Sequence, residues 1–335
     1  MIKPYQAKIV MIGPTGVGKT SLLAAMYPNL ETHFPSGDYQ LVPEENTRQI
    51  LDQLRKELKG LGENGGIRIT DGHLRGTRQV QEFNFDLQYK GVGEAKPVTD
   101  LSLQIWDIPG ALCTDKEGEE AVKYLNGSDI SFWCVDSVAL MERGGEYNDA
   151  INEPEKMCEC ICRSQLKDGH TVCIALMRAE TYEQDDNSGK LFDTFRKKYA
   201  ELALRLRKNP RIGGVYFCAV QTTGNLRFNN HEGKNPVFIR ARDISGYIPK
   251  YCELPVLIAV RQSLGNAIRD AVEEMNRIVR DYLPFTRWVF FFPGHKEYKR
   301  KKGVAQRLSS RLKHVRDDIR KELVEDTKNK RLFDF

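Results

Sequence analysis

The chain is expected to form an α/β fold, with a mostly parallel sheet and one antiparallel edge hairpin, on three observations. Apolar runs of strand length alternate with segments of helical periodicity along most of the chain. The first run, "AKIVMIG", passes through a glycine-rich turn straight into the helical pattern "KTSLLAAMYPNL". Two alternating segments, "RQVQEFNFDLQYK" and "TDLSLQIWD", flank the turn "GVGEAKP" and pair as the hairpin.

The remaining elements follow in order. "PEENTRQILDQLRKELKGL" has a 3.6-residue period and predicts an inserted helix at about 43–62. "DISFWCVDS" is a continuous apolar strand, buried on both faces. "NEPEKMCECICRSQL" is a helix stopped by Asp168-Gly169. "HTVCIALM" is a strand, and "SGKLFDTFRKKYAELALRLRK" is a helix ended by Asn209-Pro210. "GGVYFCAVQ" is a further strand. "ELPVLIAVRQSLGNAIRDAVEEMNRIVRDYL" is a long helix with Pro255 near its start, where proline is tolerated. No internal repeat or low-complexity linker interrupts this order.

Composition narrows the class. The chain has 335 residues, 40% hydrophobic and 29% charged, as in a globular protein with a sizeable core. No apolar run approaches the roughly 20 residues that span a bilayer. The start "MIKPYQAKIVMIG" holds no signal-peptide core, so a cytoplasmic location is expected. None of the eight cysteines has zinc-knuckle spacing, and several, in "FWCVD", "VCIAL" and "YFCAV", sit in apolar runs as small hydrophobes. In "CECIC", Cys158 and Cys162 share a helical face while Cys160 points away. Charge is uneven. From Arg287 onward there are 15 Lys and Arg against 7 Asp and Glu, a net of +8, so the preceding residues net −3.

Chemistry concentrates at Gly13-Pro14-Thr15-Gly16-Val17-Gly18-Lys19-Thr20, which fits G-x-x-x-x-G-K-[ST] in its strand-to-helix setting. Glycines let successive N–H groups turn inward and cradle phosphates. The helix starting near Lys19, with Ser21 in its first turn, adds the positive end of its dipole. Lys19 is placed to reach the β- and γ-phosphates, and Thr20 to put its hydroxyl on Mg²⁺. Asp107, closing the strand "LSLQIW", is a second Mg²⁺ ligand at the carboxyl edge of the sheet, where open α/β folds bind ligands. In the Asp-Ile-Pro-Gly that it begins, Gly110 offers a bare N–H to a γ-phosphate.

"GPTGVGKTSLL" followed by "WDIPG" resembles a GTPase of the translation-factor and small-GTPase class, with its D-x-x-G loop. The resemblance covers roughly the first 285 residues. Within the class it is most similar to bacterial GTPase-like proteins of the double-GTPase kind, associated with multi-component conflict or effector systems. It implies a P-loop NTPase three-layer fold over 1–285 and a basic C-terminal helical extension over 286–335. It also implies GTP/GDP and Mg²⁺ as cofactors. Thr77 in "LRGTRQVQEF" stands where the family's switch threonine binds the metal, with Thr70 as runner-up. Arg75 stands near the arginine finger of G protein alpha subunits.

Other positions depart from the family pattern. The guanine-reading N-K-x-D is replaced by Met177-Arg178-Ala179-Glu180. Glu180 can accept from guanine N1–H and the exocyclic amine, and the stem of Arg178 can lie over the ring. The S-A-K loop is replaced by Ala219-Val220-Gln221, where Val220 offers a backbone N–H. Where small GTPases carry a water-orienting glutamine stands Ala111, so slow hydrolysis is expected. The expected function is a slow guanine-nucleotide switch in a larger bacterial assembly. A pseudo-GTPase scaffold is the alternative, and a P-loop kinase or ATPase a lesser one.

The C-terminal run "LPFTRWVFFFPGHKEYKRKK" sets Trp288 and Phe290–Phe292 beside Lys299–Lys302. Such a stretch can meet a partner protein or an anionic membrane surface. Nucleic acid is the less favoured partner. Alternatively the aromatics fold back on the core and the charges form a solvated face. A protein partner can also bind through the switch region.

Overall fold

The computed structural model describes residues 4–32, 34–64, 69–70, 79–90, 96–114, 118–183, 190–232, 235–241, 246–286, 295–328 and 332–334. In chain order, β1 (Tyr5–Ile12) leads to α1 (Lys19–Thr32), β2 (Tyr39–Pro43), α2 (Glu45–Asn64) and the two-residue β3 (Ile69–Thr70). β4 (Gln81–Tyr89), β5 (Val98–Asp107), α3 (Gly110–Thr114) and α4 (Glu119–Leu125) follow. Next come β6 (Ile130–Asp136), α5 (Ser137–Met141), α6 (Asn148–Ile151) and α7 (Pro154–Arg163). Then β7 (His170–Met177), α8 (Glu180–Glu183), α9 (Lys190–Arg207) and β8 (Ile212–Ala219) complete the predicted strand set. The chain continues through β9 (Leu226–Glu232), β10 (Asn235–Arg240), α10 (Leu254–Thr286), α11 (His295–Lys328) and β11 (Leu332–Asp334).

The main sheet has the order β11-β8-β7-β6-β1-β5-β4-β2. Its centre, β8-β7-β6-β1-β5, is parallel. Every residue of β6 and β7 is buried, because helices cover both faces and a parallel strand then has no wet side. Alternate side chains split between two cores. Ile9 and Met11 face the layer of α1, α2, α10 and α11, and Val10 and Ile12 face that of α4, α7 and α9. All eight cysteines are free thiols, seven of them buried. Among the described residues, no helix is long and apolar enough to cross a membrane.

The structure differs from the expected fold in three places. The antiparallel edge holds β2 as well as the hairpin, so it is β5-β4-β2. A second sheet, β3-β10-β9, joins the segment after α2 to a hairpin inserted after β8. The C-terminal segment, read as an extension beginning at 286, does not stand apart. Leu312, Val315, Ile319 and Leu323 of α11 are buried in the same core as α1 and α10, and β11 adds an antiparallel strand to β8. Arg311 bonds the buried Asp100 carboxylate at 2.7 Å and lies 4.6 Å over the Tyr89 ring. Asp100 also accepts the Tyr39 hydroxyl at 2.7 Å, which ties α11 to the antiparallel edge. Lys299–Lys302 fall early in α11, and Trp288–Phe292 lie outside the described residues.

Candidate functional site

The turn between β1 and α1 is shaped by its glycines. Gly13, Gly16 and Gly18 have φ of 146°, 77° and 99°, values that L side chains rarely adopt. At Gly13 a Cβ would also come within 2.5 Å of the Cys134 carbonyl oxygen on β6. Lys19 is only 6% exposed. Its ammonium donates to the carbonyls of Gly13 and Pro14, each at 3.0 Å. A buried cation resting on two neutral carbonyls, at the start of a 14-residue helix, is arranged to take an anion. Val17 is buried and anchors the loop, while Thr15 and Gly16 are exposed at its tip and Ser21 is half-buried.

The strand register carries the acidic partner to this loop. Asp107, at the end of β5, lies opposite Met11 of β1 and is fully buried. The Thr20 hydroxyl donates to Asp107 Oδ2, so the residues predicted from two distant motifs meet. A hydroxyl and a carboxylate in contact at a phosphate loop suit Mg²⁺, which takes few protein oxygens and keeps several waters. Among the described residues, no group of three or more His, Cys, Asp or Glu is placed to hold a metal ion. Thr77, the third ligand expected, lies outside the described residues, as does Arg75. The backbone of Thr70 is in β3, paired with Val237. Gly110 begins α3 and is pressed against the phosphate loop, where a Cβ would run into the backbone of Pro14 and Thr15. Next to it, Ala111 is exposed.

The other side of the site departs from expectation. Arg178 follows β7 with φ 63°. Its guanidinium donates to the Gly16 carbonyl and, at 2.8 Å, to Asp136 Oδ2 at the end of β6. It also lies 4.9 Å over the Phe238 ring. Arg178 therefore braces the glycine-rich loop, rather than leaving only its stem for a base. The other Asp136 oxygen caps α5 by accepting from the N–H groups of Val138 at 2.8 Å and Ala139 at 3.3 Å.

Glu180 turns inward. It is 3% exposed, and its Oε1 accepts the Thr223 hydroxyl at 2.7 Å and the Thr223 N–H at 3.4 Å. Its Oε2 is buried with no partner among the described residues. Burial raises the Glu180 pKa above the ordinary carboxylate value. Val220 is held in the strand pattern. Its N–H donates to the Leu176 carbonyl at 2.9 Å, and its own carbonyl accepts from the Ala179 N–H at 3.1 Å. That N–H is used inside the protein and does not face a base.

The structure thus brings Gly13, Lys19, Thr20, Asp107 and Gly110 to one point, with Arg178 reaching it from β7. Asp136, Thr223 and Phe238 belong to the same neighbourhood and were not expected. Asp136 carried a readable signal, since, like Asp107, it is a carboxylate closing a strand of the parallel sheet.

No family model and no curated protein matches the sequence. Among solved structures, the chain is similar to the crystal structure of the dynein light intermediate chain's conserved domain. Identity is 8% and the TM-score 0.30, over 79% of this chain and 91% of that one.

Proposed function

We propose that the chain is a Mg²⁺-dependent guanine-nucleotide switch with slow hydrolysis. The supporting observation is the meeting of Thr20 with Asp107 at a loop that holds Lys19 among its own carbonyls and touches Gly110. On this reading the loop N–H groups and Lys19 bind the phosphates. Thr20 and Asp107 hold the metal, which neutralises phosphate charge. Gly110 is where the D-x-x-G loop meets the phosphate loop, so a γ-phosphate acts on that contact. Ala111 has no side chain to orient water, hence slow turnover.

A scaffold with weak or no hydrolysis is the second reading, favoured by Ala111 and by the inward Glu180. The partner in either case is a protein, within an assembly of the bacterial effector kind that the sequence resembles. Identifying the nucleotide that co-purifies with the chain, then measuring its single-turnover hydrolysis with and without Mg²⁺, tests the proposal. Recovery of no nucleotide, with no binding of added GTP or ATP, would reject both readings.

A further inference from the structure

A second cluster of reactive side chains lies on α7, on the face of the sheet opposite α1. Cys158 and Cys162 stand one helical turn apart, so their sulfurs project to the same side. Cys160, between them, turns away, and its Sγ lies 3.8 Å from the Gly118 carbonyl. Of the eight thiols, Cys162 alone is not buried. Cys158 is buried against α9, with its Sγ 4.0 Å from the Leu202 carbonyl.

The end of α9 completes the cluster. Arg205 lies near both sulfurs and is itself held by Glu155 at 2.7 Å. Asn209 hydrogen-bonds the Cys162 sulfur. Its Oδ1 accepts from the Arg211 N–H at 3.0 Å, which leaves its amide N–H groups to face that sulfur. The two thiols also hydrogen-bond each other. A thiol, a guanidinium and a carboxamide thus converge on one half-exposed sulfur. They favour the thiolate at Cys162 and keep the proton on Cys158. The bond from Cys158, with Arg205 and Asn209 behind it, lowers the Cys162 pKa to about 7. The same bond and then burial raise that of Cys158. Cys162 sits in the last turn of α7, where the helix dipole opposes an anion, and these contacts outweigh it. Burial raises the pKa of Cys134, Cys160 and Cys252, as expected of inert structural thiols.

We propose that Cys162 and Cys158 form a dithiol oxidised by peroxides, with Cys162 as the attacking sulfur and Cys158 as the resolving one. The Cys162 thiolate attacks one peroxide oxygen and the O–O bond breaks. The leaving oxygen takes a proton from solvent and departs as water, and Cys162 becomes a sulfenic acid. The Cys158 sulfur then attacks the Cys162 sulfur and the S–O bond breaks. The hydroxide released takes the Cys158 proton, so a disulfide and a second water form. The two sulfurs together give up two electrons, which reduce the peroxide. Cα atoms one helical turn apart lie about 6 Å from each other, within the span of a disulfide, and their Cβ atoms must close by about 1–2 Å. Cys162 is one residue from the end of α7, where a helix frays and can yield by that much. A small dithiol reverses the bond by exchange.

The test uses the full chain and needs no nucleotide, so its outcome is independent of the functional reading above. Alkylation of the native chain by iodoacetamide is followed by mass spectrometry across pH. Cys162 should react first of the eight, with the midpoint of its pH–rate curve near 7, and Arg205→Ala should move that midpoint upward. The chain is then exposed briefly to hydrogen peroxide, unfolded and alkylated. Cys158 and Cys162 should both be closed to the reagent while Cys160 stays open, and dithiothreitol should reopen the pair. In Cys158→Ala, peroxide should instead leave a Cys162 sulfenic acid that dimedone traps. A midpoint near the ordinary thiol value of about 8.5 would remove Cys162 as the attacking sulfur. Both thiols still open after peroxide, or Cys162 carried to sulfinic acid with Cys158 reduced, would overturn the pair.

Discussion

On the proposed phosphate side of the site, Lys19 folds into its own loop and Thr20 meets the carboxylate ending the adjacent parallel strand. On the proposed base side, Arg178 reaches back to Gly16 and across to Asp136, while Glu180 turns away onto Thr223. The first side is built from residues within eight positions of one another, plus one strand end. The second is assembled from three strand ends and a hairpin inserted more than 40 residues downstream. Phosphate chemistry is the same for every nucleoside triphosphate, so a short stretch of backbone N–H groups and one ammonium suffices. Reading a base needs side chains at chosen points of a ring edge, and here those positions hold groups occupied within the protein.

Lys19→Ala gives the largest expected effect. Removing one member of a desolvated charge contact costs about 2–5 kcal/mol, so affinity for a fluorescent GTP analogue falls at least about 30-fold. The melting curve stays near wild type, because the two hydrogen bonds Lys19 makes among the described residues both lie within its own loop. Equal affinity in both proteins would remove the phosphate assignment. Arg75→Ala comes next. An arginine finger supplies about 10³ to 10⁵ in rate, and with Ala111 unable to orient water, single-turnover hydrolysis falls at least about tenfold at nearly unchanged affinity. Hydrolysis at the wild-type rate would leave acceleration to a partner or a second copy of the chain.

What could be read in advance follows the same division. Gly13 to Thr20 and Asp107 were legible because fixed spacing in a strand-to-helix setting leaves few other uses for those residues. β7 coincides with "HTVCIALM", whose last six residues form an apolar run that suits a strand covered on both faces. β2 and β9 were missed because "YQLVP" is short and "LRFNNHE" is mostly polar, so neither shows a full period-2 signal. In α11 the buried stripe of Leu312, Val315, Ile319 and Leu323 was present at helical spacing. The run Lys299–Lys302 and the net charge mask that stripe and point to a basic helical extension instead. The Arg178–Asp136 bond and the Glu180–Thr223 bond were out of reach, since each joins positions more than 40 apart through the strand register alone.

Arg178→Ala sharpens the contrast between the two sides. The substitution frees the Gly16 carbonyl and leaves Asp136, 5% exposed, without its guanidinium. A hydrogen bond to a charged group is worth about 1.5–3 kcal/mol, much of which is absorbed by relaxation of an exposed loop tip. Affinity should fall by about five- to tenfold for GTP and ATP alike, with their ratio unchanged in a competition assay. A changed ratio at constant GTP affinity would make Arg178 a reader of the base and not a brace of the loop.

The smallest effect separates two roles for Glu180. With no Asn-Lys-x-Asp, preference for GTP over ATP should stay below the roughly 10⁴-fold that a fully hydrogen-bonded polar site achieves. If Glu180 accepts from the guanine edge it must do so as an anion, and burial opposes that form. Its folded pKa is raised, so its contribution to stability is complete below its unfolded value near 4.5 and is lost as pH climbs through the raised one. Glu180→Gln keeps the shape, removes the ionisation and supplies an N–H where Oε2 has no partner among the described residues. Between pH 5 and pH 8 the wild type should therefore lose more in Tm than Glu180→Gln. A reader of guanine adds a second signature. GTP affinity then rises with pH in wild type, as bound base draws out the anion, and the rise disappears in Glu180→Gln together with the preference over ATP. Parallel melting curves across that range would show that the carboxyl does not titrate there, and a GTP-to-ATP ratio unmoved by the substitution would leave Glu180 as a strut for Thr223 alone.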